Sequence, residues 1–90
     1  MALTHSKLRT LRRAPVGDSG NRLMLGLELA GESQRSAALK LGMTNTYISD
    51  VVRGRWADLG LQNAYRFADF LGCAIEDIFP MATTRERMSA

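Results

Sequence analysis

One cysteine, one histidine and two prolines are all that these ninety residues hold of those types. Cys73 alone cannot close an internal disulfide, and a lone thiol fits a reducing cytosol. With only His5 and Cys73 at hand, no zinc-ligand spacing can be assembled. The low proline content excludes proline-rich and collagen-like chains. No uncharged apolar run nears the roughly 18–20 residues of a membrane span. No apolar stretch follows the first charges as it would in a secretory signal. Catalysis needs acids, bases or nucleophiles that converge in a pocket. The only histidine sits close to the N-terminus, so an enzyme is not expected, nor a metal or cofactor site.

What is present predicts one small cytoplasmic domain. Hydrophobic residues make up 46% and charged residues 23%, the usual balance of a globular chain. The net charge is +3, and its distribution is uneven. Residues 1–22 hold Lys7, Arg9, Arg12, Arg13 and Arg22 against Asp18 alone, while the rest of the chain is close to neutral. Residues 1–18 therefore read as a separate basic arm that either meets phosphate or stays solvated. Leu3, Leu8 and Leu11 can line one side of a short helix there, interrupted by Pro15 and Gly17.

From residue 19 onward the apolar spacing is helical throughout, with no strand-like alternation. Five short helices are expected: 21–30, 34–41, 45–53, 61–71 and 75–79. Gly31, Gly42, Gly54 and Gly72 each follow a periodic segment, as C-terminal glycines do. Ser33 and Thr44 stand where N-caps belong. The fourth helix is expected to turn Leu61, Ala64, Tyr65, Ala68 and Leu71 inward. Helices this short are marginal alone and need a shared core. The folded part is thus all-α over residues 19–80, with a polar tail over 81–90.

The informative stretch runs from Gln34 to Arg53, QRSAALKLGMTNTYISDVVR. Two helices meet at Leu41-Gly42-Met43, where Gly42 permits a tight left-handed turn and the small Ala38 permits a close crossing. Ala37, Leu41, Met43, Ile48 and Val51 face the domain. Thr44, Asn45, Thr46, Ser49, Asp50 and Arg53 share the free side of the second helix. That is the layout of a helix-turn-helix whose second helix enters the DNA major groove.

These residues carry a resemblance. SQ at 33–34, Ala38 followed by KLG at 40–42, and YIS at 47–49 come first. RGR at 53–55, LQN at 61–63, FADFLG at 67–72 and IEDIF at 75–79 follow in the same order. In that order and spacing the chain resembles the lambda-repressor-like, Cro/C1-type (XRE) helix-turn-helix domains, from about Leu23 to Phe79. The resemblance implies a five-helix domain, sequence-specific binding of double-stranded DNA and a homodimer on a palindromic operator. It also implies a repressor or autoregulator of a phage or bacterium. An antitoxin-type module that also binds a protein partner is the alternative.

By position, the resemblance puts Gln34 at a phosphate and Thr44, Asn45 and Thr46 at base edges. Asp50 takes a further base-facing place, with Ser49 beside it and Tyr47, Arg53 and Arg55 near the backbone. Asn45 suits adenine, whose N6 and N7 pair with an amide. Two departures stand out. The recognition helix has no Lys or Arg before Arg53, and Asp50 puts an acid where phosphate repels it. Lys7, Arg9, Arg12 and Arg13 are the arm's candidate phosphate contacts. Trp56 reads as a packing residue under the loop, and Ile75 to Phe79 with Met81 as apolar surface for a partner chain.

Overall fold

In the computed structural model, which describes residues 2–55 and 60–80, the chain is all-helical. The order is α1 (His5–Arg13), a single 3-10 turn (Gly17–Ser19), α2 (Leu23–Leu29), α3 (Gln34–Leu41), α4 (Asn45–Val52), α5 (Leu61–Leu71) and α6 (Ile75–Ile78). The five helices expected after residue 19 are α2 to α6. The predicted Trp56 packing, Met81 surface and 81–90 tail lie outside the described residues.

α2 is the hub, packed on α1, α3, α4 and α5, while α6 packs on α5 and α1. The core is built from Leu23 and Leu27 of α2, Ala37 and Ala38 of α3, Ile48 and Val51 of α4, and Ala64, Phe67, Ala68 and Leu71 of α5. Ile75, Ile78 and Phe79 close it from below. The phase of α5 differs from the expected one. Leu61 and Tyr65 are exposed, and Phe67 takes the inward place, tilted against Phe79 with ring centroids 6.0 Å apart. The stripe 64, 67, 68, 71 follows the helical repeat and carries the larger ring inward.

The N-terminal segment is not a separate arm. Thr4 caps α1 by accepting the Lys7 N–H, and the helix ends at Ala14, extended before Pro15. Leu11 is fully buried and Leu3 nearly so, and the Leu3 N–H donates to the Leu71 carbonyl. The charge excess hid this, because one buried leucine per two turns is a faint signal beside four cations. α1 also covers α6. The Ile75–Phe79 turn, expected to offer apolar surface to a partner, has its apolar side chains inside this chain.

Two N-terminal arginines hold that junction: Arg12, which was a candidate phosphate contact, and Arg22. Arg12 Nε donates to Asp77 Oδ1 at 2.9 Å, and Arg12 Nη2 to Oδ2 at 3.3 Å. Arg22 donates through Nε to the Ala14 carbonyl and through Nη1 to the Asp77 carbonyl. Asp77 Oδ2 also accepts the Ala74 N–H that opens α6. Burial pushes the Asp77 carboxyl up. The Arg12 hydrogen bond, the Ala74 N–H and the Arg12 and Arg22 charges outweigh burial and hold it below its ordinary value.

A folded-state value depressed in this way gives stability that is fully present above the unfolded carboxylate value of about 3.9. That stability is lost as pH falls through the folded value. Urea midpoints measured from pH 6 to pH 2 should therefore drop more steeply below about pH 4 for the native chain than for Asp77→Asn. At pH 7 Asp77→Asn should be the less stable of the two. Parallel acid limbs would contradict this assignment.

Candidate nucleic-acid interface

α3 opens on Ser33, whose Oγ accepts the Ser36 N–H at 3.0 Å, while Ser36 Oγ accepts the Ser33 N–H. It closes on Gly42, at φ 69°, with the Met43 N–H returned to the Ala38 carbonyl at 2.9 Å. The chain turns there in two residues and starts α4 on Thr44, whose Oγ1 accepts the Tyr47 N–H at 3.0 Å. Ser33, Gly42 and Thr44 thus do what their positions predicted. The C-terminal end of α3 is held from outside the pair, where Arg66 of α5 donates to the Leu41 carbonyl.

The two faces of α4 separate cleanly. Ile48 and Val51 are buried, and Tyr47 and Val52 are half-buried. Thr44, Asn45, Thr46 and Arg53 are exposed, with Ser49 and Asp50 half-buried between them. Thr46, Ser49, Asp50 and Arg53 stand at i, i+3, i+4 and i+7, so they share one side of the helix. Asp50 makes no ion pair with Arg53, nor any side-chain hydrogen bond, among the described residues.

Tyr47 and Gln34 are engaged differently than their positions implied. The Tyr47 hydroxyl accepts from Asn63 Nδ2 at 3.0 Å, which leaves its own proton free to donate. Asn63 was not singled out by sequence reasoning, although it sits in the LQN stretch that carried the resemblance. Gln34, at the first position of α3, is half-buried and places Nε2 3.7 Å from Met24 Sδ. Arg55 is exposed, with its N–H on the Asp50 carbonyl at 2.8 Å. Lys7, Arg9 and Arg13 are exposed on α1. Arg12, paired with Asp77, is not a free cation.

No cluster of metal-ligating side chains occurs among the described residues. Cys73 is half-buried at the end of α5, and burial, with the nearby Asp77 charge, pushes its thiol up to about 11. No helix among the described residues is long and apolar enough to cross a membrane.

Two short helices joined at a left-handed glycine, the second with a polar free face, make this a helix-turn-helix protein. The family model described as Helix-turn-helix matches residues 24–78, from α2 to the end of α6. The chain belongs to that family, the Cro/C1-type or XRE helix-turn-helix proteins. It is accordingly a DNA-binding transcription regulator of the XRE type. α1 lies ahead of the matched span. No curated protein and no solved structure matches the chain.

Proposed function

We propose that the chain is a dimeric repressor or autoregulator that reads a palindromic operator through α4, in the cytoplasm. The observation that carries this is the free face of α4. It holds six polar side chains on a helix whose opposite face is sealed into the core. Asn45 and Thr46 in the first turn, and Asp50 one turn on, reach base edges in the major groove. Thr44 Oγ1 already accepts a backbone N–H and keeps its proton for a phosphate oxygen. The Tyr47 hydroxyl, steadied by Asn63, does the same, and Gln34, Ser49, Arg53 and Arg55 complete the backbone contacts. On α1, Lys7, Arg9 and Arg13 add sequence-independent attraction to phosphate. A twofold partner is expected to cover Leu61 and Tyr65, which stand one turn apart and exposed on α5.

Asp50 makes the test specific. A carboxylate on this face, with no ion-pair partner among the described residues, suits cytosine N4 as donor. Asp50→Asn removes the charge at nearly constant shape. It should shift preference at one base pair by about 1–3 kcal/mol and raise nonspecific affinity modestly. Binding to a panel of single-base operator variants gives the answer. A uniform gain across the panel would contradict base reading by Asp50 and leave only repulsion from phosphate.

A further inference from the structure

Asn21 is polar, 6% exposed, and lies two residues ahead of α2. Its side-chain amide is fully engaged between two helices. Nδ2 donates to the Val51 carbonyl at 2.8 Å and to the Ser19 carbonyl at 3.2 Å, and Oδ1 accepts the Leu23 N–H at 3.0 Å. The first of these bonds reaches thirty residues along the chain, to the last turn of α4.

That turn has carbonyls without intrahelical partners, as every helix end does. The Val51 carbonyl takes the Gly54 N–H at 3.0 Å and Asn21 Nδ2 on its other side. Ser19 holds Asn21 in place. Its Oγ accepts the Asn21 N–H at 3.4 Å and lies 3.1 Å from the Val16 carbonyl that it donates to. Ser19 also lies against Gly54, where a β-carbon would stand 2.6 Å from the Ser19 carbonyl oxygen and 2.9 Å from its Cα. Gly54 has φ 77°, so both its conformation and this approach need the missing side chain. Residues 19–21 and the end of α4 are thus interlocked from both sides.

We propose that Asn21 is a positioning residue for DNA reading: its amide fixes the pitch of α4 by holding the C-terminal end of that helix, opposite Asn45 and Thr46. The inference rests on the reading of α4 as the base-reading helix. An eight-residue helix is about 12 Å long, so a tilt of about 10° at its C-terminal end carries the first turn about 2 Å. Hydrogen bonds to base edges tolerate only about 0.5 Å. Asn45 and Thr46 stand at the moving end of that lever. The phosphate attraction of Lys7, Arg9 and Arg13 comes from long cationic side chains on α1 and does not depend on the tilt of α4.

The test uses the full chain with Asn21→Ser and Ser19→Ala. Serine at 21 can still accept the Leu23 N–H but is too short to reach Val51. Ser19→Ala removes only hydroxyl contacts within residues 16–21 and keeps the Asn21–Val51 bond, so it is the milder variant. Thermal melts set a temperature at which each protein under test is folded. Affinity is then measured for the duplex that the native chain enriches from a random pool, and for a scrambled duplex, over a range of salt. Asn21→Ser should lose about tenfold on the enriched site. Its affinity for the scrambled duplex should fall by much less, so that the ratio of the two affinities drops. Ser19→Ala should move the same ratio in the same direction by less. Variants that weaken on both duplexes alike, or keep the native ratio, overturn the proposal. A native chain that enriches no sequence contradicts base reading by α4 itself. That result is distinct from a discriminating native chain whose variants discriminate equally, which overturns the role of Asn21 alone.

Discussion

Leu11→Ala is expected to destabilise the chain by about 2–5 kcal/mol, the usual loss for a buried leucine whose cavity only partly collapses. Leu11 is fully buried, on a helix packed against α2 and α6. If residues 1–18 were a solvated arm, the substitution would change stability by no more than about 0.5 kcal/mol. Denaturant unfolding separates the two outcomes without any DNA present. The result also bears on how truncations should be read. Removing residues 1–14 takes away Leu3, Leu11 and the Arg12 partner of Asp77 along with the cations. A loss of DNA binding on truncation would therefore report unfolding as much as lost phosphate contacts. Charge-neutralising changes at Lys7, Arg9 and Arg13, which are exposed, isolate the electrostatic part.

Phe67→Ala should cost about 3–5 kcal/mol. The ring is fully buried and packs on Phe79, joining the middle of α5 to the end of α6. A domain of this size has a total stability of about 5–15 kcal/mol, so this variant is expected to sit near the edge of folding. Leu39→Ala is the matched control. Leu39 is 79% exposed on α3, and its removal should stay within about 0.5 kcal/mol. Melting curves of the two variants side by side check the assignment. Equal losses would mean that the inward face of α5 has been misplaced.

The helix-turn-helix was the most legible part of the sequence because its signals are local. A left-handed glycine at 42, capping hydroxyls at 33 and 44, and small residues at 37 and 38 act within a few positions of themselves. The start of α3 and both ends of α5 fall where spacing and glycines put them. What escaped the sequence is held by contacts distant along the chain. Asn21 with Val51, Asn63 with Tyr47, Arg66 with Leu41 and Arg12 with Asp77 join residues between 16 and 65 positions apart. No periodicity announces such pairs. The same limit explains the α1 error. Four cations in thirteen residues look like a solvated arm, and the leucines that bury it carry no charge signal of their own. On α5 the error was one of phase. Leu61 and Tyr65 fit a helical stripe as well as Phe67 does until the neighbouring helices fix the rotation.

The free face of α4 was legible as a set of residues, though not as a set of partners. Thr44, Asn45, Thr46 and Arg53 are exposed as expected, while Gln34 and Tyr47 proved to be half-buried and engaged with Met24 and Asn63. Asp50 stands without Arg53, which removes the structural pairing that would have explained an acid on this face.

The most direct test of the central claim, that α4 reads bases, is selection of bound duplexes from a random DNA pool by the full chain. The expected product is a twofold-symmetric site with half-sites about 10–10.5 bp apart, or a multiple of that, centre to centre. Repeating the selection with Asn45→Ala should relax one position in each half-site and leave the spacing intact. A pool that shows no enriched sequence, while the folded chain still binds DNA in a salt-dependent way, would contradict the account.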